Sequence, residues 1–275
     1  MTKAPSASVD VPSLSAHAGG LRTVTRTLPT ETPVAIVYNG STQAVMMATP
    51  ADLEDFAIGF GLSEGIIRTP AEIEDLRILF HDRGAEAQMW LAKDRAEALT
   101  RRRRAMAGPV GCGLCGIDSL EEAIRPARQV MDGIALDPAH ISGAVDAMSR
   151  RQTLQHRTHA THAAGFFTPA TGLVTLREDV GRHNALDKLI GALARDGIDG
   201  ATGAVVITSR VSVEMVQKCA VSGAAILIAV SAPTSLALAT AEAAGITLVA
   251  LVRGETFEIF THPNRIIGGA HAHVA

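Results

Sequence analysis

Hydrophobic and polar positions divide the chain into segments of different character. The first twenty residues, MTKAPSASVDVPSLSAHAGG, are polar and hold no sustained period, and are read as a mobile tail. From Leu21 the stretches LRTVTRTL, TPVAIVYNG and TQAVMMATP read as short strands, with Asn39 and Gly40 forming a hairpin turn. TPADLEDFAIGFGLSEGII reads as a helix, with Thr49 as N-cap and Pro50 at the first helical position. Leu53, Phe56, Ala57 and Phe60 share one of its faces. With IEDLRILF and AQMWLAK as two further strands, residues 21–93 make a small α+β domain.

Residues 94–137 fit neither period. RAEALTRRRR has helical composition, whereas AMAGPVGCGLCG is rich in Gly and Pro, and a segment of this length without regular structure is functional or mobile. Alternation of element types begins at 138. AHISGAVDAMSRRQ is helical, and HAAGFFT and GLVTLRED make a hairpin around PATG. Helices GRHNALDKLIGALARDG, SVEMVQKCAVSGAA and TSLALATAEAAG then alternate with strands GAVVITS and ILIAVSA, and strands ITLVALVRG and TFEIFTH close the chain. AVVIT and ILIAV are apolar throughout, as strands covered on both faces must be. The expected fold class is α/β, a three-layer mixed-sheet core over 138–275 beside the smaller N-terminal domain, with no internal repeat.

Composition narrows the function. Of 275 residues 47% are hydrophobic but only 3% aromatic, so a sizeable core is built from Ala, Val, Ile and Leu. A net charge of −3 gives no general attraction to nucleic acid or membrane, and no apolar run approaches the roughly 20 residues of a membrane span. Without an apolar export signal at the start, and with 3 cysteines, the expectation is a cytoplasmic protein in a reducing compartment.

In such sheets ligands gather at the carboxyl ends of strands, beside the free N–H groups of the helices that follow. Three junctions here are polar. In REDVGRHN, Asp179 can cap a helix whose first turn holds Gly181, Arg182 and His183. TSRVSVEM offers Ser209, Arg210 and Ser212; SAPTS offers Ser231 as a cap beside Pro233, and Arg253 and Gly254 follow the next strand. Each junction alone reads as ordinary capping or surface charge rather than a site, whereas three on one edge suit a phosphate-bearing ligand.

Cys112 and Cys115 lie in GPVGCGLCGIDSL. A zinc site needs four ligands, which His156, His159 and His162 would have to complete. The zinc-deaminase pair of motifs is absent: two residues separate Pro109 from Cys112, and Ala164 stands where that chemistry needs glutamate. The glycines around both thiols argue instead for an accessible loop suited to carrying sulfur as a persulfide. Arg101 to Arg104 either raise the local positive potential that favours thiolate or simply solvate a helix face. Cys219, one turn after Met215, reads as a small core residue.

GCGLCG, THAAGFF, REDVGRHNALDKLIG, TSRVSVEMVQK, AVSAPTSLA and FEIFTHPNRI together resemble the formate dehydrogenase accessory sulfurtransferases, the FdhD family, over about Leu21 to Ile267. The resemblance implies a cytidine deaminase-like core without the zinc site, a homodimer, and sulfur carried from a cysteine desulfurase to a molybdenum or tungsten bis(molybdopterin guanine dinucleotide) cofactor destined for formate dehydrogenase. It assigns Cys112 as the persulfide acceptor with Cys115 as its partner, and places the cofactor-binding segment at Phe257, Glu258, Ile259, Phe260, Thr261 and His262. A non-catalytic carrier or insertion chaperone for the same cofactor is the alternative.

Overall fold

The computed structural model describes residues 3–95, 126–131 and 133–267. Cys112, Cys115 and all of the RAEALTRRRR segment beyond Arg95 lie outside the described residues.

The N-terminal polar stretch is a strand. β1 (Ser8–His17) pairs antiparallel with β2 (Gly20–Pro29) in register from Ser8–Pro29 to His17–Gly20, which corrects the expectation of an irregular tail up to residue 20. The pattern was hidden because both faces of a two-stranded ribbon remain largely exposed, so no apolar alternation is required of it.

A four-stranded sheet follows, in the order β4 (Ser41–Ala48), β3 (Thr32–Tyr38), β6 (Gly84–Leu91), β5 (Ile73–His81). Asn39 and Gly40 both take positive φ, 50° and 75°, giving the tight β3–β4 turn predicted for this dipeptide. Helix α1 (Leu53–Ser63) covers the sheet, burying Phe56, Ala57 and Phe60 against Val34, Ile36, Ala87 and Met89. It starts later than predicted: Asp52, not Thr49, is the N-cap, in the left-handed region at φ 54°, and it makes no side-chain cap bond. Thr49 is committed elsewhere, as described below.

The second unit is a six-stranded sheet ordered β12 (Thr256–Ile259), β11 (Thr247–Arg253), β10 (Ile226–Ala229), β9 (Ala204–Ile207), β7 (His162–Thr168), β8 (Gly172–Asp179). β9, β10 and β11 run parallel, while β7, between β8 and β9, is antiparallel to both. The carboxyl ends of β8, β9, β10 and β11 therefore emerge on one edge. Helix α2 (Pro138–Arg151) packs Ile141, Ala144 and Met148 onto one face, where Ala204, Val206, Ile226 and Ile228 point. Helices α4 (Arg182–Arg195), α5 (Val213–Ser222) and α6 (Ser235–Ala244) cover the other face, meeting Val205, Ile207, Leu227 and Ala229. Residues of β9 and β10 are thus buried on both sides, the reason for their unbroken apolar runs. Each fully buried Leu or Ile contributes roughly 1.5–3 kcal/mol. A short helix α3 (Thr153–Thr158), not foreseen, follows α2; the Glu178 carboxylate accepts the Leu154 and Gln155 N–H groups at 2.9 and 2.8 Å and so satisfies its first turn.

The described end of the expected 94–137 linker is not free-running. The Val130 N–H donates to the Ala244 carbonyl at 2.8 Å, and Leu136 forms a parallel bridge with Ile266.

The two sheet units are joined through α1 and α4. A Cβ at Gly59 would stand 1.8 Å from the Asp187 carbonyl oxygen, and one at Gly191 would stand 1.9 Å from that of Asp55. Around this crossing polar groups reach from one unit to the other. The Thr49 N–H donates to Asp179 Oδ2 at 2.9 Å, and the Thr49 hydroxyl accepts from the Val180 N–H. Lys188 Nζ lies 2.6 Å from Asp179 Oδ2 with both side chains fully buried, and donates to the Thr49 carbonyl. Ser63 Oγ and Lys218 Nζ both donate to Asp187 Oδ1 at 2.7 Å. Burial pushes the Asp187 carboxyl up from its ordinary value while Lys218 pulls it down.

Gly191→Val must drive a side chain into opposing backbone, which cannot swing aside; a loss of about 3 kcal/mol or more is expected. Gly143→Ala, in α2 with nothing within 4 Å of the added Cβ, should be neutral or stabilising by up to about 1 kcal/mol. Denaturant midpoints of the two variants against the parent check the opposite signs.

Candidate functional site

The edge where β8, β9, β10 and β11 end brings together the three polar junctions. The first is organised by Asp179. Fully buried, it accepts from the Gly181 N–H at 2.8 Å and from Asn184 Nδ2 at 3.0 Å, besides Thr49 and Lys188. Asp179 is therefore a hub beneath the site, and Gly181, not Asp179, occupies the N-cap of α4. The space left by the missing side chain of Gly181 is taken by Asn184, whose Nδ2 would stand 2.9 Å from a Cβ there. Asn184 also donates to the Met47 carbonyl at 2.8 Å, tying the start of α4 to β4.

Above this hub stand Arg182 and His183. Arg182 is partly buried, and its Nε is buried without a hydrogen-bond partner among the described residues. His183 Nε2 lies 3.1 Å from Glu214 Oε2 in the first turn of α5, and Ser212 Oγ donates to the same oxygen at 3.0 Å. The His183 hydrogen bond, backed by Ser212 and the Arg182 charge, holds the Glu214 carboxyl down to about 2 against the opposing effect of burial. His162, at the start of β7 and paired with Asp179 across the ladder, is also part of the cluster. Burial first, then the positive charge of Arg182, lowers its basicity.

The second and third junctions are zipped together. The Val211 N–H donates to the Ala232 carbonyl and the Thr234 N–H to the Val211 carbonyl, with a parallel bridge between Val211 and Pro233. Ser209 is buried and donates locally to the Arg210 carbonyl at 3.0 Å, while Arg210 is exposed. Ser231 is not the cap of α6; Thr234 is, accepting from the Ala237 N–H at 3.3 Å. Arg253 Nη1 donates to the Val230 and Val252 carbonyls and so clamps the ends of β10 and β11.

The segment from Phe257 to His262 does not converge on this edge. β12 is antiparallel to β11, with Thr256 opposite Arg253 and Ile259 opposite Val249, so the chain runs away from the carboxyl edge. Phe257 and Ile259 pack on the α2 side of the sheet, Phe260 on the other, and Glu258 is exposed. Thr261 Oγ1 donates to the Ile246 carbonyl and accepts from the Leu248 N–H, and His262 Nε2 lies 2.9 Å from the Glu242 carbonyl, all at the opposite end of β11. Only the first residues of this segment border the edge that carries Arg182 and His183.

Cys219 is fully buried in α5, and burial pushes its thiol up to about 12. His156, His159 and His162 line one cleft, but no three His, Cys, Asp or Glu side chains among the described residues are grouped to hold a metal. Sequence reasoning missed Glu214. Its signal was its place in the first turn after Ser212, where a carboxylate reads as helix-dipole complementation until His183 is seen to meet it.

Comparison with known proteins bears on the chain as a whole. A sequence model described as the FdhD/NarQ family matches residues 29–267. The chain belongs to the FdhD/NarQ family. A sulfur carrier protein FdhD from Agrobacterium fabrum is 55% identical over 243 residues, covering 88% of this chain and 90% of its own. A protein of the same name from Brucella abortus is 56% identical over 259 residues, covering 94% of this chain and 96% of its own. The crystal structure of a formate dehydrogenase accessory protein from Desulfotalea psychrophila superposes with a TM-score of 0.77 at 29% identity, covering 95% of this chain and all of that one (100%). The mixed α/β architecture is therefore shared with that solved protein. Among the described residues no helix is long and apolar enough to cross a membrane.

For this FdhD/NarQ member the His183–Glu214 contact makes a pH-dependent contribution to stability. Because the folded carboxyl titrates at about 2 rather than the ordinary 4.5, the contribution is complete above 4.5 and is lost as pH falls toward 2. Glu214→Gln should cost about 1 kcal/mol at the upper end of that window, and the gap to the parent should close on acidification. Denaturant unfolding at stepped pH measures it.

Proposed function

We propose that this FdhD/NarQ protein carries sulfur for formate dehydrogenase. In this reading it accepts a sulfur atom from a cysteine desulfurase as a Cys112 persulfide. It then passes that sulfur to the molybdenum or tungsten bis(molybdopterin guanine dinucleotide) cofactor before the cofactor enters the enzyme. The observation that carries the reading is the fate of the third thiol. Of the 3 cysteines, Cys219 is sealed in the core with its thiol pushed up to about 12, so sulfur chemistry falls to Cys112 and Cys115, in a chain that aligns over most of its length with proteins named as sulfur carriers.

The acceptance step balances without an external oxidant. The Cys112 thiolate attacks the outer sulfur of the desulfurase persulfide, a new S–S bond forms at Cys112, the desulfurase S–S bond breaks, and the desulfurase cysteine leaves as thiolate and takes up the proton that Cys112 gave up. Only thiolate is nucleophilic, so the step needs Cys112 to ionise from an ordinary pKa of roughly 8.5. Cys115 assists in resolving or passing on the sulfur.

The cofactor is cargo, a large anion. The carboxyl edge fits it: Arg182 Nε is buried and lacks a partner among the described residues, the first turn of α4 faces the same edge, and Arg210 stands exposed beside it. Arg182, His183, Ser209, Arg210 and Ser231 would hold its nucleotide phosphates, with Phe257 at the border. The three-layer sheet is read as a cytidine deaminase-like core that has lost its metal chemistry, Ala164 replacing the glutamate, and the protein as a cytoplasmic homodimer.

Intact-protein mass spectrometry after incubation with a cysteine desulfurase and cysteine tests the relay. A reducible adduct of one sulfur is expected on the parent and on Cys219→Ala, and not on Cys112→Ala. An adduct that persists in Cys112→Ala would move the acceptor to Cys115, whereas no adduct on any form, or formate dehydrogenase that is fully active when matured by Cys112→Ala, would replace sulfur relay with the role of an insertion chaperone. Arg182→Ala should weaken guanosine diphosphate binding about tenfold or more; unchanged affinity would remove Arg182 from the nucleotide seat.

A further inference from the structure

Among the described residues, five other than glycine take a positive φ. Four are Asn39, Asp52, His159 and His262, side chains that tolerate this region, and each sits in a turn or at a helix end. The fifth is Leu251, at φ 57° inside β11. There its Cβ crowds the following carbonyl, a conflict that glycine would not have.

The conformation comes from an inserted residue. β11 and β12 pair Val249 with Ile259, Ala250 with Glu258 and Arg253 with Thr256, so Leu251 and Val252 together stand opposite Phe257. This is a β-bulge, a device that re-aims side chains and is frequent beside functional sites. Alternation before it puts Leu248 and Ala250 in the core under α4, α5 and α6, and Val249 in the core under α2. Val252, 2% exposed, returns to the α2 side, so Leu251 is the extra residue that resets the order. Its own side chain is half-buried and packs into neither core.

The bulge lies at the carboxyl edge. The Leu251 N–H meets the Ser231 carbonyl at 3.5 Å, and Arg253 reaches back to the Val230 carbonyl. A large apolar side chain is thus held among polar groups, against its backbone preference, where core packing gains nothing from it. Such a conformation persists where the surroundings enforce it, and it clusters at ligand sites.

We infer that Leu251 is a binding residue of the carboxyl edge, an apolar wall that orients an uncharged ring of the cargo beside the anion-pairing arginines. The inference rests on the reading that this edge holds the cofactor, and adds a residue that positions it.

Three substitutions separate the side chain from the backbone. Leu251→Asn and Leu251→Gly accept the left-handed region without an apolar side chain, and Leu251→Met keeps one. Thermal unfolding, calorimetry with guanosine diphosphate and maturation of formate dehydrogenase are measured on the full chain. Leu251→Asn and Leu251→Gly should unfold at or above the parental midpoint, yet bind guanosine diphosphate or mature the enzyme about tenfold less well. Leu251→Met should stay within about threefold of the parent. A loss on guanosine diphosphate places the wall against guanine. A loss confined to maturation, with the Cys112 sulfur adduct intact, places it against the pterin. Parental binding and maturation in both Leu251→Asn and Leu251→Gly overturn the inference. So do midpoints well below the parent's in both, which would make Leu251 a packing residue. A parent that matures no formate dehydrogenase removes the sulfur-carrier reading and this inference with it, whereas a competent parent matched by its variants removes Leu251 alone.

Discussion

The closeness of α1 to α4 governs the arrangement of the whole molecule. Where Gly59 meets the Asp187 carbonyl and Gly191 meets that of Asp55, no side chain separates the two helices, and a Cβ at either position would overlap backbone. At that spacing short side chains can reach between units that otherwise have separate cores: Ser63 to Asp187, Thr49 to Asp179, and Asp55 to Arg177 at 2.7 Å. The buried charges add little net stability, because desolvation offsets most of their attraction. Their consequence is registry. Any other docking of α1 would strand the buried Asp55, whose partners Arg177 and Arg195 lie in the other unit, at about 3–5 kcal/mol, and would leave the Thr49 and Ser63 hydrogen bonds unmade.

That registry is handed on to the polar edge. Asp179 ends β8, accepts from Gly181 and Asn184 at the start of α4, and is paired with Lys188 less than two turns further along the same helix. The first turn of α4 is thus fixed from below, and Arg182 and His183 project from a platform whose own hydrogen bonds are complete. Glu214 then holds His183 from a neighbouring helix, and the bridge between Val211 and Pro233 locks the loops after β9 and β10 to each other. Side chains intended to bind a polyanion need this kind of support, since an arginine free to choose its rotamer loses much of its binding energy to ordering.

How legible this was from the sequence varied with the kind of signal. Nearly all helices and strands after Leu21 follow from period and turn chemistry: the unbroken AVVI and ILIA runs are strands covered on both faces, and Asn39 and Gly40 take the positive φ their dipeptide implies. The convergence of three strand ends on one edge was legible too, because parallel β9, β10 and β11 follow from the helices between them. What failed was whatever a tertiary partner decided. Thr49 has the form of a helix cap, but Asp179, 130 residues away, claims its N–H, and the helix begins at Leu53. Asp179 has the form of a cap as well and is consumed by the same contact. β1 carries no burial pattern to read, although its partner β2 was read as a strand. The run from Phe257 to His262 was legible as a strand but not in its direction relative to the edge, which depends on β12 being antiparallel to β11.

The division of charge across the sheet edge has a physical origin in the topology. Helices that follow β8 and β9 lie on one face, so their free N–H groups and the side chains of their first turns, Arg182 and His183 among them, concentrate positive potential on that side. On the other face it is the carboxyl end of α2 that approaches the edge, and a helix carboxyl end offers carbonyls rather than N–H groups. That end is a poor seat for phosphate and a good one for uncharged groups that donate hydrogen bonds. Arg150 and Arg151 in the last turn of α2 complement its dipole, and Arg151 is turned to the Leu173 carbonyl, away from the cleft lined by Gln152. The two sides of the edge therefore differ in polarity, in the order that the two helix directions impose.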